Sequence, residues 1–68
     1  MNLPASPRIL RLSGVKAKTG KSTSAIYADM TAGTFPKSVP LGPRTVGWLE
    51  HEITEWITAR IAERDRAS

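Results

Sequence analysis

The 68-residue chain has no cysteine, a single histidine, and only two tryptophans, one tyrosine and one phenylalanine. Without cysteine there is no disulfide framework and no thiolate metal site, so packing alone must hold a chain this short together. The lone His51 excludes a histidine pair, and the scattered acids offer no compact carboxylate cluster for metal or acid–base work. Neither an enzyme nor a cofactor is expected. No apolar run approaches the ~18 residues of a membrane span. The opening Met1-Asn2-Leu3-Pro4-Ala5-Ser6-Pro7 lacks the apolar stretch of a signal peptide. The expectation is a cytoplasmic protein with no membrane partner and no small-molecule substrate. The length allows one small domain of three or four short elements.

What the chain does have is charge, unevenly placed. Ten Lys and Arg against six Asp and Glu give a net charge of +4. Residues 1–48 carry Arg8, Arg11, Lys16, Lys18, Lys21, Lys37 and Arg44 against the single acid Asp29, a local +6. Residues 49–68 carry Arg60, Arg64 and Arg66 against Glu50, Glu52, Glu55, Glu63 and Asp65, a local −2. A polyanion is drawn to the first part, and nucleic acid is the commonest such partner of a small basic domain. Solubility alone accounts for the same charge, so the pattern of elements has to decide.

Residues 1–7, with two prolines and no periodicity, read as a disordered leader. Residues 8–12 read as a short extended segment. Ser13 is an N-cap candidate for a short helix to about Thr19, with Leu12 and Val15 inside. Gly20 interrupts it, and Ser22 can cap a second helix, Thr23 to Ala32, that Gly33 stops. Ile26 and Met30 share the inner side of that helix, while Thr23, Ser24, Tyr27, Ala28 and Thr31 spread over its other sides. Phe35 follows as a core plug. Val39, Leu41, Val46 and Trp48 alternate around Gly42-Pro43-Arg44-Thr45 as a β-hairpin, in which Pro40 assigns the first strand to an edge. From Leu49 the period becomes helical: Leu49, Ile53, Trp56, Ile57 and Ile61 occupy an arc of roughly 140° at 100° per residue. Arg60 falls within that arc, its stem packing and its guanidinium reaching water. The chain is expected to fray over residues 63–68. Trp48 and Trp56 lie on apolar-patterned positions and read as core, as do Leu10, Leu12, Val15, Ile26, Met30, Phe35, Val46, Leu49, Ile53 and Ile57. His51, between two glutamates and outside the arc, reads as solvated. Asp29 reads as pairing locally on the flank of the second helix.

The fold expected is mainly α with a small β-hairpin: a helix-turn-helix followed by a wing, occupying residues 8–62. A helix face of Thr23, Ser24, Tyr27 and Thr31 is polar and small enough to enter a major groove. The free amides at Ser22 favour phosphate, with Lys18 and Lys21 beside them. Arg44, with Thr45 beside it at the hairpin tip, can reach a neighbouring backbone or a narrow minor groove.

The residues also resemble a known family. Leu12, Val15, Thr19-Gly20-Lys21-Ser22 and Ala25-Ile26-Tyr27, then Gly33-Thr34-Phe35-Pro36-Lys37, then Leu41-Gly42-Pro43-Arg44, Gly47-Trp48-Leu49-Glu50, Glu52-Ile53 and Trp56-Ile57 resemble the AlpA-like phage regulators, which are excisionase-like, MerR-type winged-helix proteins. The resemblance covers about residues 8–62. It implies a prophage-encoded, sequence-specific duplex-DNA-binding protein that regulates transcription of integrase or excision genes, or else a recombination directionality factor that bends attachment-site DNA. It makes the second helix the recognition helix, with Ser22, Thr23, Ser24 and Tyr27 toward DNA and Lys37 and Arg44 on phosphates. Two positions depart from the pattern. Lys21 stands where such proteins usually have an apolar residue, leaving the turn less packed and more open to phosphate. Ala28 stands where arginine is frequent, which shifts base readout toward methyl and shape recognition. A domain this small also calls for repeated sites, a neighbouring copy of itself or integrase to be occupied specifically. The competing expectation is a protein-binding module that docks on a regulator or recombinase through its acidic third helix.

Overall fold

The computed structural model describes residues 8–67. The leader expected at 1–7 lies outside the described residues. In chain order the elements are β1 (Ile9–Leu10), α1 (Leu12–Thr19), α2 (Thr23–Ala32), β2 (Val39–Gly42), β3 (Thr45–Leu49) and α3 (Glu50–Ala67). The expected winged helix-turn-helix is present, mostly helical with a small antiparallel sheet.

α1 begins two residues earlier than its cap signal suggested. Ser13 lies inside the helix, and Arg11 occupies the capping position without a side-chain cap bond. The Arg11 guanidinium instead donates from Nε to the Val46 carbonyl at 3.1 Å, so a tertiary bond to the sheet fixes the helix start. Gly20, at φ 75°, closes α1 through its N–H to the Lys16 carbonyl. Three residues later α2 starts as the sequence indicates: Ser22 Oγ accepts from Ala25 N–H at 3.2 Å, satisfying one of the four orphan amides of the helix start. Gly33, at φ 80°, stops it, and Thr34 N–H reaches back to the Asp29 carbonyl at 2.9 Å.

The sheet holds one strand more than the hairpin. The extended segment near residue 9 becomes β1 and pairs antiparallel with β3 (Ile9 opposite Leu49, Leu10 opposite Trp48), giving the order β1-β3-β2. Nothing in the sequence pairs a two-residue strand with a partner some forty positions away. β2 is the edge that Pro40 demanded, and its register slips between Pro40 and Gly42. On the central strand Gly47 is buried between its neighbours. A Cβ there would collide with Ile9 Cγ2 and press on Leu41 Cδ1 (3.0 Å) and Leu10 O (3.1 Å).

The core takes one residue from each part: Val15 from α1, Ile26 from α2, Phe35 from the step after it, Trp48 from β3 and Ile53 from α3. Leu10, Leu12, Met30, Val46, Trp56 and Ile57 pack against it. Leu49 is half-buried as the last strand residue rather than the first helical one. The two indoles satisfy their N–H groups on backbone, Trp48 on the Pro36 carbonyl (3.2 Å) and Trp56 on the Thr34 carbonyl (2.9 Å). Ile61, expected on the apolar arc of α3, is 45% exposed, because the helix has by then run past β3 and α1. α3 is helical through Ala67, beyond the expected limit at Glu63.

Candidate nucleic-acid interface

Four of the exposed residues of α2 form a single stripe. Ser24, Tyr27, Ala28 and Thr31 follow the spacing i, i+3, i+4, i+7, while Ile26 turns the opposite side into the core. Thr23 is half-buried at the edge of the stripe, and Ser22 is exposed at its start. Thr31 spends its hydroxyl proton on the Tyr27 carbonyl (3.1 Å). Tyr27 has one edge against the core, its ring 6.3 Å from that of Trp48 and inclined at 67°. That contact sets the α2 stripe against β3 and leaves the tyrosine 42% exposed. Ala28 gives the stripe a methyl surface with no hydrogen-bonding group.

The wing tip is the two-residue turn Pro43-Arg44. Proline at the first central position and φ 58° at Arg44 form the combination a type II turn uses, where glycine is the ordinary second residue. Arginine at this φ costs about 1–2 kcal/mol in backbone strain. Its side chain is exposed, and Thr45 Oγ1 braces the turn by donating to the Pro43 carbonyl at 3.1 Å.

Ion pairing separates the seven cations of the basic part into two groups. Arg8 and Lys18 both reach Glu50, at 3.5 and 3.9 Å, and Lys21 pairs with Asp29. Lys16, Lys37 and Arg44 have no carboxylate partner among the described residues, and Arg11 bonds only to a carbonyl. The local pairing expected of Asp29 is thus present. That pairing draws Lys21 inward: its side chain is only 19% exposed and its ammonium also lies 5.7 and 5.3 Å from the ring centres of Phe35 and Trp56. Lys18 keeps more freedom, at 34% exposure and 3.9 Å from its partner. Lys16 is the cation that sequence reasoning did not single out. Its place in the charge count was visible, but which lysines would be left unpaired was not.

A family model described as prophage CP4-57 regulatory protein (AlpA) matches residues 8–61, nearly all the described chain. The chain belongs to the AlpA family. Among curated relatives, the "DNA-binding transcriptional activator AlpA" of Escherichia coli (strain K12) is 42% identical over 66 residues, covering 88% of this chain and 94% of the relative. "Uncharacterized protein ORF88" of Enterobacteria phage P4 is 44% identical over 59 residues, covering 87% of this chain and 67% of that protein. Two structural features complete the description of this AlpA-family chain. Among the described residues no group of three or more His, Cys, Asp or Glu is placed to hold a metal ion, and no helix is long and apolar enough to cross a membrane.

Proposed function

We propose that the protein binds duplex DNA as a prophage transcriptional regulator, with α2 in the major groove and the wing on the adjoining backbone. The observation that carries this reading is the uncharged α2 stripe (Ser24, Tyr27, Ala28, Thr31), which meets β3 through Tyr27. The name of the 42% identical relative supports it, and so do Lys16, Lys37 and Arg44, which have no carboxylate partner among the described residues. Ser22, Thr23 and Ser24 at the start of α2 face phosphate and base edges, where the helix dipole is positive and no acidic side chain of the first turn offsets it. Lys37 at the start of the wing and Arg44 at its tip, with Thr45 beside Arg44, position the wing on phosphates, and Lys18 supplements them. The genes regulated are those of integrase or excision, and occupancy is reinforced by integrase or by a second copy on an adjacent site.

A mobility-shift titration with random duplex at low salt tests the core of this reading, and retention is the expected result. With about four phosphates neutralised, affinity falls on the order of a hundredfold between 50 and 200 mM salt. Arg44→Ala lowers affinity for all sequences alike and makes the salt slope shallower by about one. Thr23→Ala and Ser24→Ala change site preference more than random-duplex affinity. Footprints identical to wild type for those two variants would exclude α2 as the reader. A second reading, docking on a recombinase through α3, draws on Glu52 and Glu55. These acids have no cationic partner among the described residues and line an open groove with Phe35 and Trp56. If Glu52→Gln and Glu55→Gln abolish function while leaving DNA retention intact, both surfaces are in use.

A further inference from the structure

Lys21 closes a circuit of interactions around α2. Its ammonium pairs with the Asp29 carboxylate, two turns along the helix. The Asp29 carbonyl accepts from Thr34 twice, from N–H at 2.9 Å and from the hydroxyl at 3.3 Å. The Thr34 carbonyl accepts the Trp56 indole N–H at 2.9 Å, and the Trp56 ring faces back to the Lys21 ammonium at 5.3 Å. Phe35, edge-on to Trp56 with ring centres 5.0 Å apart, forms a second face of the same cage. The residue before the Ser22 cap, the last turn of α2, the step toward the wing and α3 are therefore joined in one closed path, which holds both ends of α2 to a single indole.

We propose that Lys21 is a positioning residue that sets how α2 is presented relative to the wing, and that it does not ligate phosphate. Moving the ammonium out to a phosphate would break a carboxylate contact and two ring contacts at once. It would also leave Asp29, whose side chain is 36% exposed, as an uncancelled negative charge on the helix that meets DNA. Lys21 thus neutralises the one acid of residues 1–48 and ties the start of α2 to α3.

This inference rests on the DNA-binding reading, and its test separates the two. Lys21→Met, which keeps the stem volume, Asp29→Asn and the double variant are titrated with a duplex selected from a random pool and with its scrambled control, over a range of salt. The expected result is an unchanged salt slope for Lys21→Met and a several-fold lower ratio of selected to scrambled affinity. Asp29→Asn should show the same loss of discrimination, although removing an acid by itself favours DNA, and the double variant should lose no more than either single one. A salt slope shallower by about one in Lys21→Met, with equal loss on both duplexes, would make Lys21 a phosphate ligand and overturn the proposal. Lower thermal stability with an unchanged affinity ratio would also overturn it, leaving only a structural role. Should the wild type retain no duplex at all, the DNA reading fails by itself. Urea unfolding of the same four proteins then decides the circuit, with additive effects overturning it and non-additive effects supporting it.

Discussion

α2 and α3 are both one-sided helices, yet they are held in opposite ways. α2 has ten residues and is secured at its ends, by the Ser22 cap, the Gly33 stop and the circuit through Lys21, Asp29, Thr34 and Trp56. α3 has eighteen residues and is secured along one side of its first half, by Ile53, Trp56 and Ile57. Their charges differ in the same sense. α3 satisfies its own dipole, with Glu50 and Glu52 in the first turn and Arg64 and Arg66 in the last, whereas α2 has no acid in its first turn and no base in its last. A helix shorter than about 12–15 residues is marginal alone, so α2 depends on its surroundings, and it leaves its positive end open to an external anion. The helix that completes itself has no need of an external charge, and the one left incomplete is the one proposed to meet DNA.

The largest effect that tests this contrast lies where the two helices are alike. Ile26 and Ile53 are both fully buried, and truncation to alanine at either should cost about 2–5 kcal/mol, read from urea unfolding. A loss at Ile53 far above that at Ile26 would show that α3, not the shared core, fixes α2. The caps come next. Ser22→Ala orphans an amide of α2 and should cost about 1 kcal/mol. Glu50→Gln at the start of α3 should cost less, even though it ends two ion pairs, because Arg8 is 76% exposed and the Lys18 contact is long. Equal losses would erase the difference between end-held and side-held helices. Arg44→Gly relieves the positive φ at the wing tip and should raise stability by about 0.5–1 kcal/mol while weakening DNA retention. A variant that is both more stable and binds unchanged would remove the wing arginine from the interface.

Local chemistry made much of the fold legible. Ser22, Gly33, the Gly42–Thr45 turn and the change of period near Leu49 each act over a few residues, and the helix-turn-helix with its hairpin follows from them. What escaped depends on distance along the chain. The start of α1 is set by Arg11 reaching Val46, thirty-five positions on, and β1 exists only because β3 offers it an edge. The α2 residues proposed to meet DNA could be named because an apolar face leaves the other sides over. The cations could not be ranked in the same way. Lys16, Lys18 and Lys21 look alike in sequence, yet the structure gives them no carboxylate, a distant one and a close one backed by two rings.

The smallest effect is expected at Ile61, and it is informative for that reason. Periodicity gives this side chain the same rank as Ile53 and Ile57, since all three lie on one arc of the helix. The structure leaves it 45% exposed, with residues 58–67 all exposed around it, because the domain ends before α3 does. An α-helix rises about 1.5 Å per residue, so eighteen residues carry α3 roughly 27 Å, farther than the strands and α1 beside it extend. Ile61→Ala should therefore change unfolding free energy by less than about 0.5 kcal/mol, as for an ordinary surface site, and should leave duplex retention as it was. A loss near 2 kcal/mol would mean that Ile61 is covered in solution. The second half of α3 would then be packed like the first, and the asymmetry between the two helices would rest on their charges alone.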